Sequence, residues 1–143
     1  MSYFSIRTME VRDITAVRRL WEKAGFELTK SDEPDELRRM LDHNPGLCLV
    51  AAENRSEIIV GAVLGGFDGR RGWVHHLAVD PAFRRRKIGT LLMNELTRRF
   101  KEKKVVKIKL EIVNGNEQVI EFYSQIGWNL RKELLTMSMG LNE

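Results

Sequence analysis

Residues 73–92 read WVHHLAVDPAFRRRKIGTLL, and this stretch decides the architecture. Residues 73–79 are mostly apolar or β-favouring and predict a strand. Asp80-Pro81 breaks it. Beyond the break, Ile88, Leu91, Leu92, Leu96 and Phe100 recur at helical spacing, so a long amphipathic helix follows. A helix N-terminus exposes unpaired backbone N–H groups at the positive end of its dipole and so attracts a phosphate. Gly89 lets a ligand approach the helix start without a side chain in the way. Arg84, Arg85, Arg86 and Lys87 form a basic block that can add phosphate contacts. The same block suits the phosphates of a nucleotide cofactor or of nucleic acid, so by itself it names no reaction.

Outward from this core, the N-terminal side predicts a short strand over 3–7. A helix with Ile14, Val17, Leu20, Trp21 and Ala24 on one face follows it. Asp13 is its candidate N-cap and Gly25 its C-terminal stop. A second helix opens at Ser31 or Asp32 with Pro34 in its first turn, and Asn44-Pro45-Gly46 ends it. The apolar run 47–53 predicts a strand covered on both faces, and 57–67 predicts the next. Residues 68–72 read as a hairpin loop into the strand already described. Downstream come a strand over 105–113, a helix over 116–126 and a final pair of strands over 128–132 and 133–140. The predicted order β-α-α-β-β-β-α-β-α-β-β is an α/β arrangement: a mixed, mostly antiparallel sheet flanked by four helices. No repeat or low-complexity tract divides the chain, so residues 1–143 read as a single domain.

A chain of 143 residues buries roughly 68% of its unfolded surface, enough for a core without staples. Cys48 is the only cysteine, which excludes an internal disulfide framework; its apolar surroundings predict a buried, reduced thiol. No apolar stretch reaches the roughly 20 residues of a membrane span. The N-terminal residues 1–13 carry two arginines and two acidic residues where a signal peptide would be continuously apolar, so a cytoplasmic location is expected. Net charge is +4, from 24 Lys plus Arg against 20 Asp plus Glu, and the excess is uneven. Besides residues 84–87, a second basic run from Arg98 to Lys109 reads as a solvated helix end and strand face. Few aromatics interleave with these cations and no recognition motif is present, which disfavours a nucleic-acid binder. Nothing has the spacing of a metal site: no Cys or acidic partner flanks His75 and His76, and His43 lies at a helix end.

The stretch 77–93 resembles motif A of the GNAT N-acetyltransferases, Gln/Arg-x-x-Gly-x-Gly/Ala after a strand, with Arg84, Lys87 and Gly89 at its defining positions. Lys87 stands where the family usually has glycine. If that position needs φ > 0, lysine costs on the order of 1 kcal/mol there; if it is helical, the cost is small. Asn116, Val119 and Tyr123, followed by Gly127-Trp128, are similar to motif B, with valine for alanine and tryptophan for phenylalanine. The order and spacing match over nearly the whole chain, and within the superfamily the stretch 65–79 resembles the small bacterial YpeA-like acetyltransferases. The resemblance implies the GNAT fold and acetyl-CoA as co-substrate. It also implies a fourth and a fifth strand that splay apart to admit pantetheine. Carried over by position, Leu77, Ala78 and Val79 would bond the pantetheine arm. Arg84, Arg85, Arg86, Lys87, Ile88, Gly89 and Thr90 would hold the pyrophosphate through main-chain N–H groups. Asn116 would contact pantetheine and Tyr123 would protonate the departing sulfur. The resemblance also admits a homodimer.

Acyl transfer from a thioester to an amine needs a neutral amine, a donor to the developing oxyanion and a proton for the thiolate. A phenol, ordinarily near pKa 10, stays protonated at neutral pH and so suits Tyr123 as the acid; a packing role beside Phe122 is compatible with this. Two bases are offered by resemblance. Glu111 stands twelve residues before Tyr123, as does a glutamate in ribosomal-protein N-terminal acetyltransferases, but it alternates with Ile108, Leu110 and Ile112 and so equally fits a polar strand face. His75 lies where arylalkylamine acetyltransferases place a histidine implicated in proton removal. On a regular strand His75 and His76 point to opposite faces, so only one of them can face the site. The expected function is acetyl transfer to a primary amine, either a small molecule or a protein N-terminus. The alternative is a non-catalytic acyl-CoA-binding module of the same fold. Acceptor pockets in such folds are built from the loop between the first two helices, here 22–36, and from the final hairpin. Their mixed charge does not identify the acceptor.

Overall fold

Four strands meet in chain order: β1 (Phe4–Thr8), β2 (Leu49–Glu53), β3 (Ile59–Phe67) and β4 (Gly72–Val79) pair antiparallel in the computed structural model, which describes residues 3–143. Met1 and Ser2, part of the N-terminal stretch read above, lie outside the described residues. β5 (Ile108–Leu110) joins the edge of β4 in parallel. Parallel neighbours need a crossover, and α3 (Ile88–Glu102) supplies it. α1 (Ile14–Lys23) and α2 (Pro34–His43) lie between β1 and β2 in the chain, and α4 (Gln118–Gln125) follows β5. Short 3-10 turns at Val11–Asp13, Lys30–Asp32 and Pro81–Phe83 precede α1, α2 and α3. The architecture is the mixed α/β one expected, with a mostly antiparallel five-stranded sheet and four helices.

The central strands are apolar throughout because both of their faces are covered. Cys48, Val50, Ala62, Leu64 and Ala78 pack with Val17, Leu20 and Trp21 of α1 and Leu37 of α2 in one buried cluster. Leu92, Met93, Leu96 and Phe100 of α3 are buried as well. β3 lets that helix in close through two glycines. A Cβ at Gly61 would stand 2.9 Å from Ile88 Cγ2, and one at Gly65 would stand 2.8 Å from Leu96 Cδ1. Leu91, expected on the same apolar side, is instead 39% exposed, since it sits at the margin of the packed stripe. Arg99 ties the far end of α3 down, donating to Thr8 Oγ1 (2.7 Å), the Gly46 carbonyl (3.0 Å) and Glu95 Oε2 (2.8 Å). Cys48 is buried, burial pushes its thiol up to about 11, and its Sγ donates to the Gly65 carbonyl.

Asp13 occupies the position before α1 but makes no side-chain cap to it. Its carboxylate instead accepts from the Glu10 N–H (2.8 Å) and pairs bidentately with Arg7 at 2.8 and 2.9 Å. α2 begins at Pro34 in the first-turn position, and Asp32 closes the 3-10 turn ahead of it.

The chain forms two compact units, one ending at Leu110 and the other spanning Glu111–Glu143. The second holds α4 and an irregular C-terminal stretch. The two strands expected over 128–132 and 133–140 do not form, and Leu135, Met137 and Met139 are 96%, 96% and 81% exposed. Lys132-Glu133 offers no residue suited to a tight hairpin turn, and an isolated two-stranded ribbon is marginal in water. β5 likewise keeps three residues of the expected stretch 105–113, because its pairing with β4 ends at Val74.

Candidate active site

β4 carries a β-bulge where it pairs with β3. Ala62 faces Ala78 and Leu64 faces His75, so His76 and Leu77 together oppose the single residue Val63. A bulge increases the local twist and re-aims side chains. His76 takes φ 51°, a left-handed conformation uncommon for a residue with a side chain. Its ring is held on three sides. Nε2 lies 2.9 Å from Asp32 Oδ1, the plane stacks on Phe26 (5.1 Å between centroids, 28°), and Trp21 meets it edge-on (4.9 Å, 72°). The Asp32 side chain is 6% exposed, and its other oxygen accepts from the Thr29 N–H (3.0 Å) and hydroxyl (3.3 Å). Trp21 is fully buried, and its indole N–H has no hydrogen-bond partner among the described residues.

The bulge also breaks the alternation expected for the two histidines. Both His75 and His76 line a groove of about 840 Å³, together with Asp32, Glu36, Leu37 and Met40. His75 is exposed and lies parallel to Trp73, with ring centroids 6.4 Å apart and planes at 7°. The pair His76–Asp32 was not legible in the sequence beyond the bare histidine doublet, since 44 residues separate its members.

β5 accompanies β4 only over Gly72–Val74, so among the described residues the β4 edge from His75 to Val79 has no strand beside it. Leu77, Ala78 and Val79 lie on this open edge, where main-chain N–H and C=O groups can meet an extended ligand. At the end of β4 the Asp80 carboxylate caps the 3-10 turn by accepting from the Ala82 N–H (3.0 Å), and Lys23 Nζ stands 3.5 Å from it. The chain then passes exposed Arg84, Arg85, Arg86 and Lys87 into α3. Arg85 and Lys87 both have positive φ, 67° and 61°. Lysine therefore sits in a left-handed position that glycine would take without strain. Lys87 is the N-cap of α3 and makes no side-chain cap bond, so the amides of Ile88, Gly89 and Thr90 have no capping side chain from Lys87. Left-handed residues that lead into a helix aim successive N–H groups at a common point, a concavity suited to an anion. Arg86 lies over the Phe83 ring at 5.6 Å, and Ile88 is buried against β3.

In the second unit, Asn116 begins the turn into α4, accepting from the Val119 N–H at 3.3 Å while its own N–H donates to Val113 (2.9 Å). Tyr123 packs edge-on against Phe122 (5.0 Å) and Trp128 (5.8 Å), and burial pushes its phenol up to about 12. Glu111 is exposed just past the end of β5 and accepts a hydrogen bond from the Thr136 hydroxyl. Its alternation with Ile108 and Leu110 thus ends at the strand terminus.

Among the described residues, no group of three His, Cys, Asp or Glu is placed to hold a metal ion. No helix among the described residues is long and apolar enough to cross a membrane.

Residues 14–128 match the Acetyltransferase (GNAT) family. The chain is 36% identical over 121 residues to an acetyltransferase of Pectobacterium atrosepticum, covering 85% of this chain and 84% of the relative. It is 32% identical over 138 residues to an acetyltransferase of Sodalis glossinidius, covering 96% of each. Its fold is that of the PaiA N-acetyltransferase of Thermoplasma acidophilum solved in complex with coenzyme A, with a TM-score of 0.80 over 92% of each chain at 17% identity. The open edge of β4, the anion-suited start of α3 and these matches converge, and the chain belongs to the GNAT family of acetyltransferases.

Proposed function

We propose that the protein transfers the acetyl group of acetyl-CoA to a primary amine, of a small molecule or a protein N-terminus, by direct attack in a ternary complex in the cytoplasm. The observation that carries this is the departure of β5 from β4 at Val74, immediately before the residues that lead into an uncapped, positively charged helix start. An open strand edge followed by an amide-lined basic turn fits a long ligand with a polar arm at one end and a pyrophosphate at the other.

Acetyl-CoA, when bound, supplies an activated acetyl thioester. Leu77, Ala78 and Val79 bind its arm through main-chain groups, with the region of Val79 polarising the thioester carbonyl. Arg84 to Thr90 hold the pyrophosphate, the amides making the contacts and the guanidinium groups raising the local positive potential. Asn116 contacts the arm. Tyr123 keeps a proton for the departing sulfur, and a phenol pushed up to about 12 stays protonated across the neutral range. For the acceptor's own proton, the family resemblance offers His75 and Glu111.

Isothermal titration with acetyl-CoA, followed by thiol release with spermidine, tyramine and an alanine-initiated tetrapeptide, tests the reading. Saturable binding and amine-dependent thiol release are expected. Binding without release for a broad amine panel would favour the non-catalytic module. Absence of any affinity for coenzyme A or its acetyl form overturns both.

A further inference from the structure

The geometry points to His76, oriented by Asp32, as the group that takes the proton from the acceptor amine. This rests on the acetyltransferase reading above and adds to it a residue outside the three catalytic candidates. A carboxylate only accepts, so the 2.9 Å contact to Asp32 Oδ1 places the ring hydrogen on Nε2. Nδ1 then carries the lone pair. Asp32 cannot turn away readily: it is nearly buried, and Thr29 holds its second oxygen through both N–H and hydroxyl. Phe26 and Trp21 fix the ring plane. A buried carboxylate that sets the tautomer of an imidazole and stabilises its protonated form is the arrangement of an oriented general base.

The position agrees with that task. His76 is the first of the two bulge residues and directly precedes Leu77–Val79 on the open edge, and its side chain is 32% exposed along the groove. Other charged groups also face this groove. Glu36, Arg39, Asp42 and His43 come from α2, and His75 from β4 itself. From α1, Arg18 Nε donates to the Asp32 carbonyl at 3.0 Å. Arg39 is within 3.3 Å of Glu36, so Asp42 remains as a carboxylate on the groove with no cation paired to it among the described residues, favouring a cationic approach.

Nδ1 takes one proton from the ammonium, and the freed lone pair forms the N–C bond as the C–S bond breaks. The second N–H proton ends on sulfur, giving amide and thiol, and the imidazolium returns its proton to water. A lysine-like amine is neutral in only roughly 1 in 2500 molecules at pH 7, so removal of this proton is a large part of its barrier.

His76→Asn is the informative substitution, because asparagine tolerates a left-handed backbone and offers Asp32 an amide N–H but has no basic nitrogen. Acetyl-CoA affinity by calorimetry should stay within about twofold. Thiol release with spermidine, tyramine or the alanine tetrapeptide at pH 7 should fall about 100-fold or more. The deficit should narrow as pH rises towards the amine's own pKa. Rates within twofold of the parent, with superimposable pH profiles, overturn the assignment. A second readout needs no turnover: long-range 1H–15N spectra of the CoA-bound protein should show the Nε2–H tautomer for His76, and an Nδ1–H tautomer overturns the proposal. If none of the three amines is turned over, the tautomer decides by the same criterion. Loss of acetyl-CoA binding in the parent protein would instead sink the underlying acetyltransferase reading.

Discussion

Lys87 shows how a single backbone angle changes the weight of a substitution. At φ 61° the lysine is strained by about 1 kcal/mol relative to an unstrained residue, yet its N–H is kept. Lys87→Gly should therefore raise unfolding stability by up to about 1 kcal/mol in urea, partly offset by glycine's greater freedom in the unfolded chain. Its acetyl-CoA affinity should be equal or higher, because the proposed contact is through main-chain amides; a large loss of affinity would show that the lysine charge holds the pyrophosphate. Tyr123 makes a complementary case. Tyr123→Phe keeps the edge-on contacts with Phe122 and Trp128 but removes the proton, so turnover should fall about 100-fold with acetyl-CoA affinity nearly unchanged. Unchanged turnover would remove Tyr123 from the acid role.

Among the elements, β3 is the most constrained, since α3 approaches it through glycine. A Cβ at Gly65 would lie 2.5 Å from the Leu47 carbonyl oxygen, which is backbone and cannot swing aside. Gly65→Ala should therefore cost about 1–3 kcal/mol. At Gly66 the nearest atom is Met40 Cε at 3.3 Å, the end of a flexible side chain, so Gly66→Ala should cost less than about 1 kcal/mol. Urea unfolding of the two variants checks the contrast, and equal losses would contradict it. The helices were legible because their apolar spacing is local: α1 and α2 lie within their expected stretches, and α3 buries the expected Ile88, Leu92, Leu96 and Phe100. The terminal strands were misread for the opposite reason. An alternating stretch becomes a strand only when a partner edge is supplied, and residues 128–140 have none among the described residues.

For the whole molecule, acid stability depends on the Arg7–Asp13 pair that joins β1 to the turn before α1. Burial pushes the Asp13 carboxyl up, but the Arg7 guanidinium and the Glu10 N–H outweigh it and hold the group below its ordinary value. A depressed folded pKa gives stability that is present above the ordinary aspartate value of about 3.9 and lost as pH falls through the lower folded value. Asp13→Asn should be less stable at pH 7, and its stability should fall less steeply below about pH 4, as followed by thermal melts across pH. Parallel pH curves for the two proteins would show that the pair does not contribute to acid unfolding.

Apolar periodicity and turn residues determined the α/β class and the helix that follows the basic turn, and the resemblance of residues 77–93 and 116–128 to two motifs pointed to the family, because each is written in neighbouring residues. Tertiary structure alone decided where β5 leaves β4, that Lys87 is left-handed, and that a bulge turns His76 onto Asp32. Those features arise from strand register and from contacts between residues far apart in the chain, and no local pattern encodes them.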